Sequence, residues 1–287
     1  MPASFRNIML TIAYDGTAYQ GWQVQPNGIT VQQKVEEAIH RLTGEELRIL
    51  CAGRTDSGVH ALGQVASFQT QSNIPAPQFR RAIQRFLPDD IRVIRSQQVA
   101  SEFHATFSAV RKRYRYLIWD GPVSPPFLNK HVYRPRRALH VAEMQAALPA
   151  LSGTHDFRCF ETNYPNKATS VRTILDAIIE RRSSPEMWTT ETQWQPLDAR
   201  PHEDPEHPLI VFEVEADGFL YNMVRAIVGT LLRIGNQQRP PEYLAEVISS
   251  MDRGMAGSTA PAEGLYLVRV DYPQELLLPS EQNSNQD

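Results

Sequence analysis

The chain is 287 residues long, with 41% hydrophobic and 21% charged residues, enough to bury a substantial core in one large domain or two smaller ones. No apolar run approaches the ~20 residues that a membrane-spanning helix needs, and residues 1–6 lack a signal-peptide pattern. Cys51 and Cys159 are the only cysteines, which argues against a disulfide framework or a multi-cysteine zinc site and points to the reducing cytoplasm. The net charge of −3 hides a bias, because thirteen Lys/Arg stand against four Asp/Glu between Arg80 and Arg137. Such a stretch suits one face for a polyanion, or else an arginine-rich surface paired with local acids.

Alternation over 5–14, with Ile8, Leu10, Ile12 and Tyr14 on one face, predicts a strand closed by Asp15-Gly16. Thr30 and Gln33 form a capping-box pattern opening a helix with the stripe Val31, Val35, Ala38, Ile39 and Leu42, stopped by Gly44. Strands are predicted over 47–51 and 63–70, a helix over 75–87 and a strand over 91–100, giving the β-α-β-β-α-β order of a ferredoxin-like unit. A second set follows: a strand over 111–119, a helix over 141–151, strands over 171–181 and 209–216, and an apolar helix over 221–234. A further helix starts at Pro240-Pro241, and a last strand covers 265–272. His155-Asp156 reads as a turn at a helix end.

The expected class is α+β. Two ferredoxin-like halves, 1–108 and 109–275, would form an extended, mainly antiparallel sheet with helices on one side and a central cleft. The stretch 183–208, rich in Pro, Glu, Thr and Trp, reads as an insertion packed down by Trp188 and Trp194. Residues 276–287 read as a disordered tail.

Three constellations could carry chemistry. Asp56 lies in Gly53-Arg54-Thr55-Asp56-Ser57-Gly58, where Gly53 and Gly58 permit unusual backbone conformations and close approach. A lone Asp there is either a turn former or a reactive group that nearby Arg54 would orient. Arg111-Lys112-Arg113-Tyr114-Arg115-Tyr116 puts Tyr114 and Tyr116 on one strand face and Arg111, Arg113 and Arg115 on the other. Cations beside aromatic rings suit an unstacked base and its phosphates; the alternative is tyrosines packed on helices and arginines merely exposed. Arg225 falls among apolar neighbours at the start of a helix, and a buried arginine needs a carboxylate partner, for which Asp56 is a candidate. The histidines, His60 included, show no metal-ligand spacing with a carboxylate or thiolate, and no metal site is expected.

These segments resemble the TruA family of tRNA pseudouridine synthases. The resemblance rests on Gly53 to Ala61, and on Tyr14-Asp15-Gly16-Thr17, Gly21-Trp22-Gln23 and Phe103-His104-Ala105. It continues through Lys112 to Tyr116, Gly153 to Phe157, Asn222-Met223-Val224-Arg225 and Glu263 to Leu267, in the family's order. It implies a pseudouridine synthase fold, a homodimer, no cofactor, and conversion of uridine to pseudouridine in the anticodon stem-loop of tRNA. By motif, Asp56 would be the nucleophile and Arg225 its cationic partner. Tyr114 would stack on the target uracil, Leu265 would wall the base pocket, and Arg54 would help extrude the nucleotide. Arg113, beside Tyr114, is a further candidate for substrate binding. The alternative is a catalytically inactive RNA-binding protein on the same scaffold.

Overall fold

The computed structural model describes residues 5–121, 125–162, 169–182 and 208–277. The expected insertion, apart from Pro208, and the expected tail beyond 277 lie outside the described residues. The described residues divide into two compact units. One holds those within Met1–Val110 and Arg269–Asp287, the other those within Arg111–Val268.

The first unit contains β1 (Arg6–Tyr14), α1 (Val31–Thr43), β2 (Leu50–Cys51), β3 (His60–Thr70), α2 (Phe79–Gln84) and β4 (Ile91–Val99). The alternation in β1 buries Ile8, Leu10 and Ile12 completely. β1 runs antiparallel to both β3 and β4, with Ile8 opposite Phe68 and Leu10 opposite Ala66. β2 adds outside β3, so the order is β4-β1-β3-β2. Phe79 meets Phe68 edge-on with ring centroids 5.7 Å apart, which places α2 against the same face as Ile8. The side chain of Thr30 accepts the Gln33 N–H at 3.3 Å to cap α1, and Gly44 ends the helix at φ 76°.

The strand predicted over 47–51 forms only at Leu50–Cys51. The reason is a side chain. Glu36 of α1 accepts the Ile49 N–H at 3.0 Å and a bond from Arg48 at 3.2 Å, so the approach to β2 is tied to the helix instead of a ladder. The helix predicted over 75–87 starts as a 3-10 turn, Ala76–Gln78, before α2.

The second unit contains β5 (Arg111–Trp119), α3 (Val141–Ala147), β6 (Gly153–Asp156), β7 (Val171–Arg182), β8 (Leu209–Ala216), α4 (Met223–Gly235) and α5 (Tyr243–Ser250), and the chain continues into β9 (Leu265–Asp271). β5, β8, β7 and β6 pair antiparallel in that order, and β9 lies beside β5. All eight residues of β8 are buried, so this strand is covered on both faces. The division between the units falls after Val268, within β9.

His155 and Asp156, expected in a turn, belong instead to β6, paired with Arg172 and Val171. Gly153 at φ 93° turns the chain after the helix and delivers these four residues to the edge of β7. The helix expected over 141–151 is α3 followed by a 3-10 turn, Leu148–Leu151, that contains Pro149. In both units helices accompany a mainly antiparallel sheet, the expected α+β class.

Candidate active site

The Asp56 loop connects β2 to β3 and is held from below and from one side. From below, the fully buried Gln64 of β3 donates from Nε2 to the Gly53 carbonyl at 2.7 Å, and Ala52 N–H reaches Val65 O at 2.8 Å. At its tip the Val59 N–H donates to Asp56 O at 3.1 Å, closing a four-residue turn. Gly58, at φ 77°, takes the turn's third position, which requires positive φ. Gly53, by contrast, is not among the described glycines with positive φ. Asp56 is half-buried, Arg54 and Ser57 are exposed, and Thr55 is buried.

From the side, the segment after β1 lies directly on this loop. Trp22 N–H donates to Thr55 O at 3.0 Å, Ser57 Oγ to Tyr19 O at 3.1 Å, and the Tyr14 hydroxyl meets Thr55 Oγ1 at 2.7 Å. A Cβ on Gly21 would stand 2.5 Å from Thr55 O and 3.1 Å from the Asp56 carbonyl carbon, and Gly21 itself has φ 81°. A Cβ on Gly16 would stand 2.0 Å from Val59 O. These two glycines allow the close backbone approach on this side of the loop. His60, buried to 1% exposure, accepts the Gly16 N–H at Nδ1 (3.1 Å), and the same nitrogen stands 3.1 Å from Asp15 Oδ1. The spacing of histidines gave no sign of this carboxylate neighbour. Asp56 thus points from a loop whose backbone is fixed at both ends.

In the second unit, Tyr114 and Tyr116 share a face of β5, opposite Val214 and Phe212 of β8. Tyr114 is 8% exposed and stands edge-on to Phe219, centroids 5.0 Å apart. Tyr116 is completely buried and donates its hydroxyl to Pro261 O at 2.8 Å. Burial, with help from Glu263, pushes its phenol well above the usual range against the opposing charge of Arg225, so it remains a donor.

Arg225 sits in the first turn of α4 and is half-buried, less than its apolar neighbours suggested. Its Nε donates to Ala260 O at 2.7 Å and its Nη1 to Asn222 Oδ1 at 3.1 Å. Asn222 precedes α4 in the left-handed region at φ 61°, which asparagine tolerates. Leu265, 6% exposed, begins β9 just beyond the turn Ala262–Gly264, and a Cβ on Gly264 would press on the Tyr116 ring at 2.7 Å. The 257–265 segment thereby joins Arg225, Tyr116 and Leu265. It is clamped to α4 where a Cβ on Gly229 would meet Ser258 O at 1.8 Å.

The arginine face of β5 differs from both readings of the sequence. Arg113 donates to Glu215 at 3.0 Å, to Glu213 at 3.1 Å and to Asp176 at 2.9 Å, and Arg115 donates to Glu213 at 2.7 Å. Glu215 and Glu213 are the direct cross-strand neighbours of Arg113 and Arg115. Burial opposes the Arg113 charge, but the bonds to Glu215 and Glu213 outweigh it and raise its pKa above the ordinary value. Arg115 is 1% exposed. These arginines are neither a free phosphate surface nor merely exposed; they are internal to a carboxylate cluster.

The family model for tRNA pseudouridine synthase matches residues 10–108 and 147–273, and the chain belongs to this family. The matched residues include the Asp56 loop, Arg225 and Leu265. Among curated relatives, the chain is 45% identical over 267 residues to tRNA pseudouridine synthase A of Acetivibrio thermocellus, covering 93% of this chain and 100% of that one. It is likewise 45% identical over 267 residues to tRNA pseudouridine synthase A 2 of Clostridium perfringens, with the same coverage. A third relative, tRNA pseudouridine synthase A of a Thermoanaerobacter species, is 41% identical over 267 residues, again 93% of this chain and 100% of its own.

Proposed function

We propose that the chain isomerises uridine to pseudouridine in the anticodon stem-loop of tRNA, as a cytoplasmic homodimer. The observation that carries the reaction is the family match over 10–108 and 147–273, which takes in the Asp56 loop. The reaction breaks the N1–C1′ glycosidic bond, turns the uracil and rebonds it through C5. In this reading the Asp56 carboxylate attacks C1′ or triggers elimination. Arg225, anchored by Ala260 and Asn222, supplies the cation that keeps the carboxylate charged and oriented. Tyr114, held edge-on by Phe219, offers a ring to the extruded uracil, Leu265 walls the pocket, and Arg54, exposed on the loop, assists extrusion. Stacking on an aromatic ring offsets part of the cost of unstacking a base, by roughly 1–3 kcal/mol per base. Arg113 enters as a cation that holds the sheet, given its three carboxylates, and not as an RNA contact.

The stem-loop target and the dimer are supported by the family resemblance. The compartment is supported by two free cysteines and by the lack, among the described residues, of any helix long and apolar enough to cross a membrane. Pseudouridine mapping in tRNA before and after incubation with the purified protein tests the reading. New pseudouridine in the anticodon stem-loop is expected; tRNA binding with none formed would point to an inactive binder.

A further inference from the structure

The first unit carries a surface whose chemistry the reaction leaves unexplained. Arg80, Arg81, Arg85 and Arg92 border a shallow cavity of about 420 Å³ with Gln84 and Val93 as the remaining lining. All four arginines are exposed. The platform beneath them is fixed by hydrogen bonds. Gln84 donates to Ile91 O at 2.9 Å and accepts the Val93 N–H at 3.0 Å, stapling α2 to β4, while Arg80 N–H donates to Ser96 Oγ at 2.9 Å.

What sets this patch apart is the lack of compensation. Arg92 shares a surface ion pair with Asp89 at 3.2 Å. Among the described residues, Arg80, Arg81 and Arg85 have no carboxylate within ion-pair distance, unlike Arg113 and Arg115. Guanidinium groups gathered on a firm surface repel one another and raise the local positive potential in a chain whose net charge is −3. Binding a polyanion removes that repulsion, and guanidinium is the side chain best matched to phosphate. The exposed Arg95 on β4 extends the same positive stretch.

We propose that Arg80, Arg81, Arg85 and Arg92 form a handle for the tRNA phosphate backbone, additional to the residues that handle the target uridine. The proposal rests on the reading of the chain as a tRNA-modifying enzyme. The handle adds affinity and position without reading sequence, as backbone contacts do.

The test combines Arg80→Gln, Arg81→Gln and Arg85→Gln in one variant, with the Arg→Lys counterpart as control, in the full chain. Affinity for tRNA is measured by fluorescence anisotropy across a KCl series, and pseudouridine formation is measured in parallel. The glutamine variant should bind at least about tenfold more weakly near physiological salt, with a slope of log affinity against log salt shallower by about two. KM should rise in step, and the lysine variant should keep most of the slope. Wild-type affinity and slope in the glutamine variant would overturn the handle, as would an equal loss of slope with lysine. Arginine-dependent binding to phosphatidylglycerol vesicles with tRNA affinity unchanged would also overturn it. If the wild type binds tRNA through these arginines but forms no pseudouridine, the handle stands and the enzymatic reading fails.

Discussion

Arg225 and Ala260 hold each other twice. The Arg225 side chain donates from Nε to the Ala260 carbonyl at 2.7 Å, and the Ala260 N–H donates to the Arg225 carbonyl at 3.0 Å. The guanidinium is therefore aimed by the helix it starts and by the loop it faces. A lysine ammonium on a flexible stem has no Nε in the same plane and cannot repeat that geometry.

Arg225→Lys is expected to retain the charge and lose activity by roughly 10–100-fold, the equivalent of one charge-assisted hydrogen bond of about 1.5–3 kcal/mol. Single-turnover pseudouridine formation checks this. Activity equal to the wild type would show that the aim of the guanidinium is irrelevant.

Asp56→Asn is nearly isosteric and should leave the loop backbone in place, because its bonds to Trp22, Val59 and Gln64 involve main-chain atoms of the loop. Release of tritium from 5-tritiated uridine in tRNA should disappear while tRNA affinity stays within a few-fold. Persistent turnover would remove Asp56 from the nucleophile's role.

Tyr14→Phe removes the partner of the buried Thr55 hydroxyl. An unsatisfied buried hydroxyl costs about 1–3 kcal/mol, visible as a lower urea midpoint. Thr55→Val in the same background should recover part of that loss, since the pair would then be replaced on both sides. A double variant no more stable than Tyr14→Phe would mean the hydroxyl pair is not the source of the effect.

Arg113→Met should act on stability rather than on RNA. It leaves Glu213 and Glu215 buried without one of their cations, at a cost of about 3–5 kcal/mol. The salt dependence of tRNA binding should be unchanged. A slope reduced by about one would return Arg113 to the RNA contacts.

Cys159 is fully buried, and burial pushes its thiol from near 9 up to about 12. The native state favours the protonated thiol, so this contribution to stability is complete below pH 9 and is lost as pH rises from there towards 12. At pH 8 the thiolate fraction is about one in ten thousand. Iodoacetamide should therefore modify the half-exposed Cys51 first and reach Cys159 only in denaturant, as peptide mass mapping would show.

Much of the fold was legible because its signals are local. Alternation marked β1, the Thr30 cap marked α1, and the strands read over 111–119 and 209–216 match β5 and β8 to the residue. Four-residue β6 is too short for alternation to be distinguished from a turn, and the shortening of β2 depends on the Glu36 side chain from another element. In the site, the Asp56 turn and its Gly58 could be read directly. The packing of 14–22 on that turn could not be read, since nothing local says that Gly16 and Gly21 face a loop some forty residues later. The carboxylate partners of Arg113 could not be read from the sequence, because Glu213 and Glu215 lie about a hundred residues away and become neighbours only by strand pairing.

The backbone packing at Gly16 and Gly21 also limits how the Asp56 motif can be moved or redesigned. The conformation around Asp56 is moulded by an earlier stretch of chain through main-chain atoms. Grafting 53–61 onto a related scaffold would carry the carboxylate but not its aim, unless 14–22 travelled with it. For protein engineering, these two short stretches are one transplantable part.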